Sequence, residues 1–209
     1  MKTNLIILAC GLVLLGATVS ASAQSTLLST LNSTTASGSQ WIGYDQVVQK
    51  FTTGSQSENI GSISVAIGSE SDPGSDFTIS IYSNSSGQPG SVVSNGLLSG
   101  AAVPTVNSVN EYDASGLTLA ANTTYFLFFN NTIGQNVLVQ TAQALSTSST
   151  AGWTLGDPEY RYNGHLIWND IGQVGVPLFS INAAPVPEPT TLALAGLSGL
   201  GLLLFRRRK

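Results

Sequence analysis

An all-β fold is what this sequence predicts: an antiparallel two-sheet β-sandwich, jelly-roll-like, with an N-terminal signal helix before it and a C-terminal single transmembrane helix after it. Three observations carry the expectation. Short runs of alternating apolar and polar residues recur along the middle of the chain, separated by Gly, Pro, Asn and Ser. Long helical periodicity is absent there. Charge is scarce, with 9% of the 209 residues being Asp, Glu, Lys or Arg, and five of the seven bases lie near the two ends.

Taken in order, residues 1–23 read as a secretory signal peptide. Lys2 supplies the basic start and residues 5–19 the apolar stretch. Ala21 and Ala23 are the small residues that place signal-peptidase cleavage before Gln24. The apolar run is shorter than the ~20 residues of a spanning helix. Cys10 is the only cysteine and lies inside this segment. The exported part therefore has no disulfide, no Cys-ligated metal and no thiol catalysis, and its stability must come from its core.

Residues 24–44, rich in Ser and Thr, are expected as a flexible lead or a weak edge strand. The sandwich is expected over 45–182. Strands are read at 46–52 (QVVQKFT), 60–67 (IGSISVAI), 77–82 (FTISIY), 92–98, 124–129 (TYFLFF), 137–140, 153–155, 166–168 and 178–181. Ile63, Val65 and Ile67 share one face, and Phe77, Ile79 and Ile81 point inward. TYFLFF is apolar on both faces, which suits a central strand under a second layer. In SNSSGQPG a turn is expected at residues 87–90, with Pro89 setting φ and Gly90 permitting a positive one. Tyr125 is expected as a buried anchor whose hydroxyl closes a corner. Roughly nine to eleven strands at such spacings make a two-sheet sandwich.

Between Gln24 and Ala184, ten carboxylates stand against two bases, Lys50 and Arg161, which leaves a charge near −8. The whole-chain value of −4 understates this. A domain so acidic repels nucleic-acid phosphate and anionic lipid, but tolerates cations and neutral sugars. His165 is the only histidine, and no G-x-S-x-G elbow occurs. Zinc needs three or four N/S ligands, more than the exported chain has. The protein is expected not to be an enzyme and to carry no cofactor.

Two candidate sites remain. Glu70, Asp72 and Asp76 place three carboxylates in the loop ESDPGSD, a candidate Ca2+ ligand set, with a solvated acidic loop as the plainer reading. Trp153, Tyr160, Tyr162 and Trp168 cluster with Arg161, Asn163, His165, Asn169 and Asp170. Such rings can stack on sugars while amides and carboxylates bond the hydroxyls; ordinary sandwich core is the alternative. The N-x-S/T triplets at Asn32, Asn84, Asn122 and Asn130 are read as chance products of a Ser/Thr-rich chain.

The chain closes with VPEPTTLALAGLSGLGLLLFRRRK. A linker spans 183–189. Residues 190–205 carry no charge and would make a helix of ~24 Å, slightly short of a ~30 Å hydrocarbon core. The basic tail 206–209 would stay on the cytoplasmic face. This stretch resembles the PEP-CTERM sorting signal: Val186, Pro187, Glu188 and Pro189, a Gly- and Leu-rich span, then Arg206, Arg207 and Arg208. The resemblance implies recognition by an exosortase, a membrane transpeptidase-like protease. It implies cleavage near Pro187 to Pro189 and delivery to the cell surface or a polysaccharide-rich matrix.

The middle resembles the choice-of-anchor domains of the R type over about 45–150, through QKFTTGS, NIGSISVAI, FTISIYSNSSGQPGS and GLTLAANTTYFLFF. That family pairs an exported β-sandwich with alternative sorting tails and has no established catalytic residues. The combined expectation is a non-enzymatic exported protein, held transiently at the inner membrane, then structural or adhesive in an exopolysaccharide matrix. A carbohydrate-binding module is the second reading and a secreted glycoside-type hydrolase, with two converging carboxylates, the third.

Overall fold

The computed structural model describes residues 24–35, 40–42, 45–70, 77–98, 105–131, 137–162, 169–170 and 175–186. The signal segment 1–23, the span 190–205, the tail 206–209 and the strand expected at 166–168 lie outside the described residues. Every regular element described is a strand, and among the described residues no helix is long and apolar enough to cross a membrane.

The strands are β1 (Thr26–Ser29), β2 (Thr34–Thr35), β3 (Gln40–Ile42), β4 (Asp45–Thr52) and β5 (Glu58–Glu70). Next come β6 (Phe77–Ser85), β7 (Gln88–Leu98), β8 (Ser108–Leu119), β9 (Thr124–Asn131) and β10 (Val137–Val139). The last are β11 (Ala142–Ala144), β12 (Ser148–Ser149), β13 (Thr154–Tyr162), β14 (Asn169–Asp170) and β15 (Phe179–Ala183). The first sheet, of seven strands, runs β12-β1-β15-β5-β10-β3, with β8 on the far side of β5. The second, of six, runs β14-β13-β4-β9-β6-β7, and β11 pairs with β2 in a ribbon of two. Residues 24–184 form one compact unit.

Alternation decides what fills the space between the sheets. Ile63, Val65 and Ile67 of β5 and Ile181 of β15 face Val47 and Phe51 of β4, Ile79 and Ile81 of β6, and Leu127 and Phe129 of β9, all fully buried. TYFLFF is a central strand, as its two apolar faces suggested. Tyr125, Leu127 and Phe129 enter the shared core, while Phe126 and Phe128 join Val48 and Tyr82 on the opposite face. Phe51 lies flat on Trp153, with ring centres 6.0 Å apart and 5° between planes. At ~25 cal/mol per Å² of apolar surface, each such ring contributes a few kcal/mol.

Tyr125 closes the corner between β8 and β9, where the chain passes from the first sheet to the second. Its hydroxyl accepts from Ala120 N–H at 3.0 Å. Thr53 Oγ1 donates to Ala120 C=O at 2.6 Å and accepts from Thr123 N–H at 2.9 Å. The crossing backbone is thereby paired.

Three expectations change. The lead 24–44 contains an interior strand, because Leu27 and Leu28 are buried and β1 pairs with both β12 and β15. Its hydroxyl neighbours are specific: buried Thr30 Oγ1 donates to Pro177 C=O at 2.8 Å and accepts from Phe179 N–H at 2.9 Å. The hairpin turn sits at Ser86-Gly87, whose φ values are 54° and 90°, while Asn84 Oδ1 accepts from Gly87 N–H at 2.8 Å. Positive φ at both central residues matches the right-handed strand twist, so Gln88 to Gly90 already belong to β7. Pro89 is tolerated because β7 is an edge strand. Finally, β13 runs on past Leu155 through Gly156-Asp157-Pro158, since a bulge absorbs Gly156 and Asp157 opposite Lys50.

Bulges mark the edges too. In β8, residues 114–116 face Gly61 alone, and Asp113 accepts from Ser115 N–H at 2.9 Å. That backbone bond, reinforced by the Ser115 hydroxyl, holds the Asp113 carboxyl below its ordinary pKa. Asn95 of the bulged β7 donates to Gly116 C=O at 2.8 Å, tying the two edge strands together. The twisted, interrupted edges resist pairing with other chains.

Three buried polar groups give contrasting predictions. Tyr125→Phe strands the Ala120 N–H and should cost about 1–2 kcal/mol in urea denaturation. The Tyr112 hydroxyl is buried with no hydrogen-bond partner, and desolvation pushes its pKa up. Tyr112→Phe should therefore leave stability unchanged or raise it by up to about 1 kcal/mol. Gln49 Nε2 donates to Gly156 C=O at 2.6 Å and to Lys50 C=O at 2.9 Å across the β13 bulge. Gln49→Leu should cost about 1–3 kcal/mol. Equal effects from the two tyrosine variants would contradict the corner role.

Candidate functional site

Two features meet the requirements of a site: the exit of the chain toward its sorting motif, and a cleft at one end of the sandwich.

The exit is fixed by β15. Ala183 N–H donates to Ser25 C=O at 2.8 Å and Ala184 N–H to Asn59 C=O at 2.7 Å, after which Pro185 and Val186 are exposed. Gln24, the residue after the expected signal cleavage, donates through Nε2 to Ser62 Oγ at 3.1 Å. A Cβ on Gly61 would stand 2.5 Å from Gln24 Nε2 and 2.9 Å from Ala183 C=O, so only glycine lets both ends of the domain cross here. The first proline of the motif, Pro187, follows Ala184 by three positions. Pro187, Glu188, Pro189, Arg206, Arg207 and Arg208 lie outside the described residues, as do Ala21 and Ala23.

The cleft, about 280 Å³, is lined by Leu28, Leu145, Thr147, Ser149, Trp153, Thr154, Leu155, Gly156, Asp157 and Val176. Its origin is the β13 bulge. One extra residue on β13 displaces the strand locally from β4, and the Gln49 amide donates to the Gly156 carbonyl in that position. Leu28, Trp153 and Val176 form a buried floor. Thr147, Ser149, Thr154 and Asp157 form an exposed rim. The mixture can hold a small amphipathic group, with apolar contact below and hydrogen bonds above.

Trp153 is a core ring that also lines the cleft. It is 3% exposed and is stacked, offset, on Phe51 after the turn that Trp153 N–H closes on Thr150 C=O. Tyr160 and Tyr162 lie two apart on β13, with side chains outside the described residues, and Trp168 lies outside them altogether. Of the sequence cluster, Trp153 is the aromatic residue whose side chain is described, and it lines the cleft. Of the calcium candidates, Glu70 ends β5, its side chain outside the described residues, and Asp72 and Asp76 lie outside them too. Among the described residues no three His, Cys, Asp or Glu side chains are grouped to hold a metal. Sequence reading missed Thr147, Ser149 and Thr154. The one signal it offered was Gly-Asp-Pro inside a strand-like run, which marks a bulge.

Comparison with known proteins bears on the tail. No curated protein matches the chain. One family model does match, that of the PEP-CTERM protein-sorting motif, over residues 185–209. This motif indicates an exported protein that is anchored to the membrane before an exosortase processes it, and the match begins one residue after Ala184, whose N–H is bonded to Asn59 C=O.

Proposed function

We propose that the protein is a non-enzymatic component of the cell surface or extracellular matrix, structural or adhesive among exopolysaccharides. The observation that carries this reading is the attachment of the sorting motif at 185–209 directly to a compact β-sandwich. The resemblance of residues 45–150 to choice-of-anchor R domains supports it, as does the charge near −8 over residues 24–184, which suits a neutral polymer better than phosphate or lipid headgroups. Signal peptidase and an exosortase are the processing partners in this scheme. Carbohydrate contact is a second reading favoured by the cleft. A hydrolase would need a second carboxylate there, and Asp157 is the one carboxylate among the lining residues described.

Fractionation of the producing cell tests the role. The wild-type chain should pass from the membrane to the surface or matrix fraction in a shortened form. Glu188→Ala should accumulate at full length in the membrane, and Arg206, Arg207 and Arg208 all changed to Gln should do so in part. Identical distributions for wild type and Glu188→Ala would overturn exosortase sorting.

Calcium at Glu70, Asp72 and Asp76 belongs to the same proposal. Bound calcium would raise the unfolding midpoint, and the rise would grow with the logarithm of free calcium above its dissociation constant. A midpoint that is higher in calcium than in chelator, with the difference abolished by Asp72→Asn, is the expected result. Identical midpoints would remove the cation.

A further inference from the structure

We infer that the cleft bounded by β1, β12 and the bulged part of β13 is a subsite for one ring of a neutral polysaccharide. The inference deepens the matrix role and rests on it only for the source of the polymer. Four observations lead to it.

The first is the division of the walls. Leu28, Trp153, Leu155 and Val176 offer aliphatic and aromatic surface, while Thr147, Ser149, Thr154 and Asp157 offer hydroxyl and carboxylate oxygens at the mouth. A pyranose ring has the same division, with C–H groups on its faces and hydroxyls around its edge.

The second is unused bonding capacity. Among the described residues, no hydrogen bond engages the side-chain oxygens of Thr147, Ser149, Thr154 or Asp157. Donors and acceptors are therefore available at a place where the bulge has already opened the strand.

The third is charge. Among the described lining residues Asp157 is the one charged group, and no base lines the cleft beside it. An anionic sugar, a phosphate or a peptide carboxylate would meet repulsion with no compensating partner. A neutral hydroxyl can donate to the carboxylate in a charge-assisted bond.

The fourth is size. About 280 Å³ lies just below the ~300–1,000 Å³ of drug-sized pockets, so the cleft takes a ring rather than a long segment. The half-buried Leu145 and Leu155 make the ring contact, while the buried Leu28, Trp153 and Val176 close the floor behind them.

The test uses the full chain in a zwitterionic detergent free of sugar headgroups. Saturation-transfer NMR and calorimetry are run with laminarihexaose, cellohexaose, maltohexaose and the producer's own exopolysaccharide, against hexagalacturonate as an acidic control. At least one neutral glycan should bind saturably, and hexagalacturonate should not. Ser149→Trp, which fills the mouth from an exposed position, should weaken binding about tenfold or more. Thr154→Arg is a second exposed blocker, in case the first variant fails to fold. Asp157→Asn should weaken neutral glycans and narrow the gap to hexagalacturonate. Absence of binding by every neutral glycan, preference for the acidic control, or undiminished binding in a folded blocker would overturn the subsite. Processing of the blockers, followed by fractionation, separates this failure from that of the matrix role: normal sorting with no glycan binding condemns the cleft alone.

Discussion

Burial between two sheets is the constraint on which everything else rests. The exported sequence has no cysteine beyond residue 10, so no covalent staple closes the sandwich. Phe51, Phe129 and Phe179, with the isoleucines of β5 and β6, must therefore supply the stability that small secreted domains often take from disulfides. This explains the economy of polar groups inside. Where one is buried, as with Thr30, Thr53 or Gln49, it bonds backbone that a crossing or a bulge leaves without its ladder partner. The exceptions are the Tyr112 hydroxyl and the Oε1 of Gln49, buried without a hydrogen-bond partner although the Gln49 Nε2 is satisfied.

How far the sequence disclosed this depends on whether alternation stays in phase. In β6, β9 and the 63–67 part of β5 it does, and the inward residues could be named from spacing alone. In β8 the buried positions are Tyr112, Ala114, Leu117 and Leu119. The bulge before Leu117 shifts the period by one, so the strand does not look amphipathic in the chain. In β1 the signal was two leucines among serines and threonines, a composition that reads as loop until the hydroxyls are seen to have buried partners. The hairpin turn was displaced because Pro89-Gly90 is a stronger local cue than Ser86-Gly87, yet strand twist favours the latter.

The two candidate sites differ in the same respect. A sorting motif is read by an enzyme as a linear string, so its letters can be recognised without a fold. The cleft is assembled from residues 28, 145–149, 153–157 and 176, which topology alone brings together. Sequence proximity grouped Trp153 with Trp168, and the fold gave Trp153 to Phe51 instead. The aromatic residue that drew attention in the sequence thus serves packing, and less conspicuous hydroxyls form the rim of the cleft.

The placement of β15 has a mechanical consequence. It lies between β1 and β5, paired on both sides, and the sorting tail leaves from its end. A pull directed along β15 would load both ladders in shear, many hydrogen bonds at once. A strand at the rim would instead be peeled away one bond at a time. A tether attached in this way transmits tension into the centre of the first sheet, and it yields only when that sheet is torn across.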